Sequence, residues 1–349
     1  MEDLGQLDPR IFDTTVGHRL ALLRYESGLT ERVLAIYDAA LADIRTQAKA
    51  LAKRIADGDS VDRRQLLRLQ ATVNELRTRR DDLAAKINGT LSPALAEVAD
   101  SEAAWMARTF RSVGVSFTAI PDTAVALALA SPLGGRYYAE RVAEDLRLLT
   151  TEIQDAVAIG LSRGDSMPDI ARQLKRMGQI EETYRGRLVA IARTETQRVA
   201  NATALAGYQA NDDVVAGAQW LATLDSRTCV VCAAQHNGKW TLAQTRTDPA
   251  FRPPPLHPRC RCALSPLLFP MTDAQGRVLP TFNATPAMDT TFDAWLKRQP
   301  VATQVDVLGG KKQRAMWNAG LPLGRFGAGT RVLGLGELRA RYPDFIRPG

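Results

Sequence analysis

The sequence predicts a mainly α protein with one small α+β unit set into it. Three observations lead there. The first 115 residues carry long apolar-periodic segments with few glycines, all four cysteines and two of the three histidines fall between Trp220 and Cys262, and short capped helical stretches follow residue 290. The expected order is a helical-hairpin N-terminal region over 1–115, a central domain over 116–268 with a knuckle at 216–268, and a small C-terminal helical module over 269–349.

In the N-terminal region Thr30 can cap a helix from Glu31 to about Ile55, closed by Asp57-Gly58-Asp59-Ser60. A second helix is expected from about Val61 to Asn88, ended by Gly89, because Leu66, Leu69, Val73, Leu76, Leu83 and Ile87 recur at helical spacing while most arginines lie off that stripe. Two such helices joined by a short polar turn make a hairpin. Ser92-Pro93 reads as the start of a third helix that ends near Gly114, with Ser as N-cap and Pro in the first turn.

Pro121, Pro132 and Gly134-Gly135 then mark a boundary. A helix is expected from Tyr138 to Leu161, a break at Ser162–Asp165, a capped start at Ser166-Met167-Pro168-Asp169 and a long helix from Glu182 to Gln209. On the long helix Leu188, Ile191, Glu195 and Val199 share one stripe, which puts a carboxylate on the face that should be buried. A buried carboxylate needs a cation, and Arg198, Arg227 and Arg261 are the candidates. A catalytic base beside a metal is the other use of such a group. The structural pair is preferred, because a metal with four protein ligands has no open place for chemistry.

Cys229 and Cys232 form a C-x-x-C knuckle, and His257, Cys260 and Cys262 follow about 25 residues later. Two short turns of this kind can aim four soft ligands at one point, about 2.3 Å from each sulfur, which is the sequence form of a tetrahedral zinc site. Disulfides are the alternative; Cys260 and Cys262 are poorly spaced for a bridge to each other, and the chain lacks both a signal peptide and the cysteine density of a secreted scaffold. Five donors compete for four places: Cys229, Cys232, His257, Cys260 and Cys262. His236 is set aside, because Asn237-Gly238 after it suggests an exposed hairpin tip. Ala218–Ala222 reads as a strand into the knuckle and Gly238–Leu242 as its return, with 245–258 as a loop stiffened by Pro253-Pro254-Pro255. Such a metal acts as a staple for a β unit too small to fold alone.

Beyond a looser segment to about Asp289, Thr290/Thr291 can cap Phe292–Arg298, followed by helical stretches over 302–308 and from Lys311 to Asn318, closed by Gly320. The chain has a net charge of +7, and residues 240–349 hold 15 Lys/Arg against 7 Asp/Glu, so the basic character is C-terminal. A basic tail can meet DNA phosphates or an acidic protein surface, or simply be solvated; no aromatic residues interleave with the arginines to stack bases. No apolar run approaches the ~20 residues that span a bilayer, so no membrane partner is expected. His18, His236 and His257 have no serine-nucleophile motif beside them, and neither form of glycine-rich phosphate loop is present, so no catalytic residues are assigned and the chain is not expected to be an enzyme.

The run Asp225-Ser-Arg-Thr-Cys229-Val-Val-Cys232, then Gly238 and His257-Pro-Arg-Cys260-Arg-Cys262, preceded by Ala192-Arg193-Thr194-Glu195, resembles the head-morphogenesis domain of tailed-phage minor head proteins, the family named for the F protein of phage Mu. The resemblance covers about residues 145 to 268. It implies a virion protein added near the portal vertex during head assembly in the host cytoplasm, with the portal protein, the major capsid protein or both as partners. Packaged DNA is a further partner that the basic C-terminal region would touch. It also singles out Arg193, Glu195 and Asp225 as family-pattern residues, read here as architectural. A zinc-ribbon nucleic-acid-binding protein is the alternative reading of the same cysteines.

Overall fold

The computed structural model describes residues 8–56, 63–163, 178–270 and 290–345. The fold is mainly helical, with small antiparallel sheets. Pro9–Ala56 (α1), Arg63–Ser112 (α2), Asp122–Ala130 (α3), Tyr138–Ser162 (α4) and Gly178–Gln209 (α5) come first. Val215–Leu221 (β1), Val230–Gln235 (α6), Lys239–Thr241 (β2), Leu242–Thr247 (α7) and Ala263–Leu268 (β3) follow. Phe292–Lys297 (α8), Val301–Leu308 (α9), Lys311–Asn318 (α10), the two-residue strands Gly327–Ala328 (β4) and Arg331–Val332 (β5), and Leu335–Arg341 (α11) complete the order.

Two expected boundaries are absent. Thr30 caps nothing, because α1 begins at Pro9 and carries Thr30 as a buried interior residue beside Leu29 and Val33. Gly89 does not end α2, and Ser92-Pro93 does not start a new helix. The physical reason is burial. Leu83, Ile87, Leu91, Ala94, Leu95 and Val98 continue one buried stripe straight through Pro93. A helix-interior proline costs about 3 kcal/mol, whereas each large apolar side chain on that stripe gains about 1.5–3 kcal/mol on burial. The turn expected at Asp57–Ser60 and the capped start at 166–169 lie outside the described residues, as do the side chains of Leu66, Leu69, Val73 and Leu76 within α2.

The chain forms two compact units. In the helical unit, drawn from Arg24–Glu97 and Ala130–Glu195, one core joins Leu29, Val33 and Tyr37 of α1, Ile87 and Leu91 of α2, Val142, Leu146 and Leu149 of α4, and Leu188 and Ile191 of α5. The second unit, from the described residues within Met1–Leu23, Val98–Leu129 and Thr196–Gly349, holds the sheet. Its core packs Ile11, Trp105, Met106 and Phe110 with Tyr208, Trp220, Leu264 and Leu268. A further cluster in the same unit gathers Val230 and Ala233 of α6 with Phe292, Leu296, Trp317, Phe326 and Leu338 of the C-terminal helices.

The main sheet has the order β2-β1-β3, antiparallel throughout. β1 is central and almost wholly buried, which its apolar composition requires. Gly217 lies opposite Thr241, and a Cβ there would sit 2.2 Å from the backbone oxygen of Trp240, so only glycine admits the close approach of β2. β3 runs along the other edge and tolerates Pro266 opposite Ala218 because an edge strand leaves one side of its ladder unpaired.

Candidate metal centre

Two chain segments build the centre, one from the turn after β1 into α6 and one from the loop before β3. In the first, the Asp225 carboxylate accepts from the backbone N–H of Arg227 at 3.0 Å, and Thr228 Oγ1 reaches the same oxygen at 3.3 Å. This is the local cap that Asp at the head of a turn makes. It delivers Cys229 to the N-cap position of α6 and Cys232 to the first turn. α6 holds them there because Val230 and Ala233 pack against the C-terminal helices while Cys232 joins the core under the sheet.

In the second segment the ring of His257 is oriented by its own backbone neighbourhood. Nδ1 lies 2.8 Å from the carbonyl oxygen of Pro258 and donates to it, which turns Nε2 toward the thiols. That Nε2 sits 3.1 Å from Cys229 Sγ and 3.1 Å from Cys232 Sγ, and Cys232 Sγ lies 3.6 Å from Cys260 Sγ. The five donors form two triads, Cys229/Cys232/His257 and Cys232/Cys260/Cys262, that share Cys232, with all atoms of a triad within 4.8 Å of one another. No disulfide links the four cysteines.

Proximity sets the ionisation. The thiol of Cys232 and then His257 hold Cys229 down to about 4, and Cys232 and Cys262 hold Cys260 down to about 3. Cys232, donating to its neighbours, is pushed up. The hydrogen bond to Cys229 raises His257 to about 9. Thiolates this close together call for a compensating positive charge, and a divalent ion is the usual supplier.

The rest of the centre is carried by residues that the sequence left unassigned. Asn201 of α5 is fully buried; its Nδ2 donates to the Cys262 carbonyl at 3.1 Å, and its Oδ1 accepts from the Leu264 N–H at 3.1 Å, fixing the entry into β3. Tyr208 Oη donates to the Leu264 carbonyl at 3.2 Å. The capping box of α7, Thr241 with Gln244, stands in the sequence as T-x-x-Q, and the helix it starts replaces the end of the return strand and the loop expected there.

His236 corrects the expectation of an exposed hairpin tip. The ring is half-buried, its Nδ1 accepts from the Ala222 N–H at 3.0 Å, and Nε2 lies 3.1 Å from the Thr290 carbonyl and donates to it. Asn237 does adopt the turn conformation, with φ 65°. Burial pulls the pKa of His236 below its ordinary 6.5. The neutral ring is therefore the form the folded chain holds, and its stabilisation is complete above about pH 6.5. As the pH falls through that value the unfolded chain takes up the proton first, and stability drops until the folded chain is protonated too. Thermal melts at about pH 7.5 and about pH 5 should show a larger loss of Tm for the wild type than for His236→Gln; equal losses would refute this assignment.

The family-pattern residues of the helical unit make other contacts than expected. Glu195 is 1% exposed and pairs with Arg141 of α4, while Arg193 Nε stands 3.1 Å from Glu26 Oε1. The arginines proposed for Glu195 are engaged elsewhere. Arg261 holds both oxygens of Asp225 at 2.6 Å, Arg227 Nη2 lies 3.6 Å from Asp225, and Arg198 donates to the carbonyls of Ala128 and Leu129 at the end of α3. The last contact is a cationic C-cap.

Among the described residues no helix is long and apolar enough to cross a membrane. No match was found among curated proteins or among solved structures. Residues 151–265, which run from within α4 through the whole cysteine–histidine cluster into β3, match the family model described as phage Mu protein F like protein.

Proposed function

We propose that the protein is a structural, non-enzymatic minor head protein of a tailed phage, incorporated near the portal vertex during head assembly and stabilised by one zinc. The observation that carries the reading is the match of residues 151–265 to the phage Mu F-like model, a span that contains all five donors. Zinc suits those donors. With Zn–S about 2.3 Å and Zn–N about 2.0–2.1 Å, tetrahedral edges are about 3.8 Å between sulfurs and about 3.6 Å between sulfur and nitrogen. The separations of 3.6 Å and 3.1 Å need only small adjustment to meet them. Cys229, Cys232, His257 and Cys260 would hold the ion, with the Nδ1–H of His257 fixed on a carbonyl behind it. Cys260 takes the fourth place because its Sγ lies 3.6 Å from Cys232 Sγ, and Cys262 is the donor left over.

The division at 115/116 and 268/269 is part of the same proposal, with the N-terminal helices as the docking element for the portal or major capsid protein and the basic C-terminal module as the part nearest the packaged DNA. Deleting 1–115 is not the way to test it, because Ile11, Trp105, Met106 and Phe110 belong to the core that also packs Trp220. The test is to purify heads from cells producing the phage and to identify their proteins by mass spectrometry. The chain should be present in heads at far lower copy number than the major capsid protein, and heads from a strain lacking its gene should be fewer or non-infectious. Heads that form normally and never contain the chain would refute the assignment.

A further inference from the structure

The two segments that carry the cysteines are tied to each other by a contact that involves no donor. Asp225 heads the turn that presents Cys229 and Cys232, and Arg261 stands between Cys260 and Cys262. Arg261 Nη1 and Nη2 donate to Asp225 Oδ2 and Oδ1, both at 2.6 Å, the bidentate fork that a planar guanidinium makes with a carboxylate. Burial alone would raise Asp225, but the fork from Arg261 and the Arg227 N–H hold its carboxyl below the usual range, so it stays ionised and bound. Asp225 Oδ1 also accepts from Arg227 N–H and Thr228 Oγ1, so one carboxylate shapes the first segment and grips the second.

We propose that Asp225 and Arg261 are positioning residues for the metal, bringing the two ligand segments into register before any ion binds. The inference rests on the metal reading above. Residues two apart on an extended chain face the same way, so an Arg261 side chain fixed on Asp225 sets the direction in which Cys260 and Cys262 both point. The Asn201 contacts to Cys262 and Leu264 fix the same segment from the opposite end. Ion binding then closes a site that already exists, and its free energy goes into affinity instead of into ordering the loop.

Lysine cannot reproduce the fork, which makes Arg261→Lys a charge-conserving probe. The full chain, its Asp225→Asn and Arg261→Lys variants, and the doubly swapped Asp225→Arg/Arg261→Asp chain would be titrated with zinc against a chromophoric chelator and with Co2+ by visible absorption. Each single variant should bind zinc about 10–100-fold more weakly, with the tetrahedral Co2+ bands kept and the melting of the helical unit unchanged; the swapped pair should recover part of the loss. Hydrogen exchange of the metal-free wild type should show β1, α6 and β3 still protected, and the metal-free Asp225→Asn chain should lose that protection in α6. Unchanged zinc affinity in both single variants, or loss of protection in the metal-free wild type, would overturn the proposal. A wild type that binds neither zinc nor Co2+ would overturn the metal reading as well, and so separates the two failures.

Discussion

Cys229→Ser should leave the purified chain without metal, while Cys262→Ser should keep it. Cys229 Sγ faces the His257 nitrogen at 3.1 Å, so the change removes a ligand outright and should weaken zinc by more than the about 10–100-fold of an outer-shell substitution. At a free zinc concentration of about 1,000 times Kd the wild type gains about 4 kcal/mol from the ion, and the Cys229→Ser chain should lose that gain in thermal melts run with and without chelator. The sequence, which presents the knuckle as a staple for a β unit too small to fold alone, would have the whole of 216–268 unfold. The structure narrows this. β1 and β3 are buried along almost their whole length and share a core with Trp105, Met106, Phe110 and Tyr208, and the Arg261 fork on Asp225 does not involve the ion, so the sheet and α6 should both persist and the loss should be confined to the zinc-dependent part of the stability. Hydrogen exchange distinguishes these outcomes, and zinc retained by Cys229→Ser but lost by Cys262→Ser would reverse the ligand assignment.

The donors were legible because their chemistry is concentrated: four cysteines and two of three histidines in one stretch, at spacings that suit one ion. The pairing of β1 with β2 was legible in outline too, since Ala218–Ala222 and Gly238–Leu242 read as a strand into the knuckle and its return. β3 was not. Pro266 inside an apolar run argues against a strand until the run is known to lie at a sheet edge, and that is a property of the fold. The long helices show the converse error. Local punctuation at Thr30, Gly89 and Ser92-Pro93 marks helix boundaries, but these signals are worth a few kcal/mol at most and yield to a buried stripe that continues through them. Ion-pair partners were the least legible. The stripe Leu188, Ile191, Glu195 says that a cation must meet Glu195 but carries no information about which one.

That partner is Arg141, and the pair supplies the second large effect. Glu195 is 1% exposed and the Arg141 side chain 19%, so the contact lies in a part of the helical unit that water scarcely reaches. Taking one member from a buried ion pair leaves the other charge desolvated, at a cost of about 3–5 kcal/mol. Glu195→Gln keeps an acceptor oxygen but not the charge, and should fall toward the lower end of that range, with Arg141→Met similar. A double-mutant cycle closes the argument: if the two groups act on each other, the Glu195→Gln/Arg141→Met chain should be less destabilised than the sum of the single changes. Incorporation into heads should fall in step with stability in all three variants, since the proposed role is architectural. If Glu195→Gln instead left the melting temperature and head assembly at wild-type values while blocking a later step of infection, the carboxylate would be acting chemically, and the structural reading proposed for this protein would have to be abandoned.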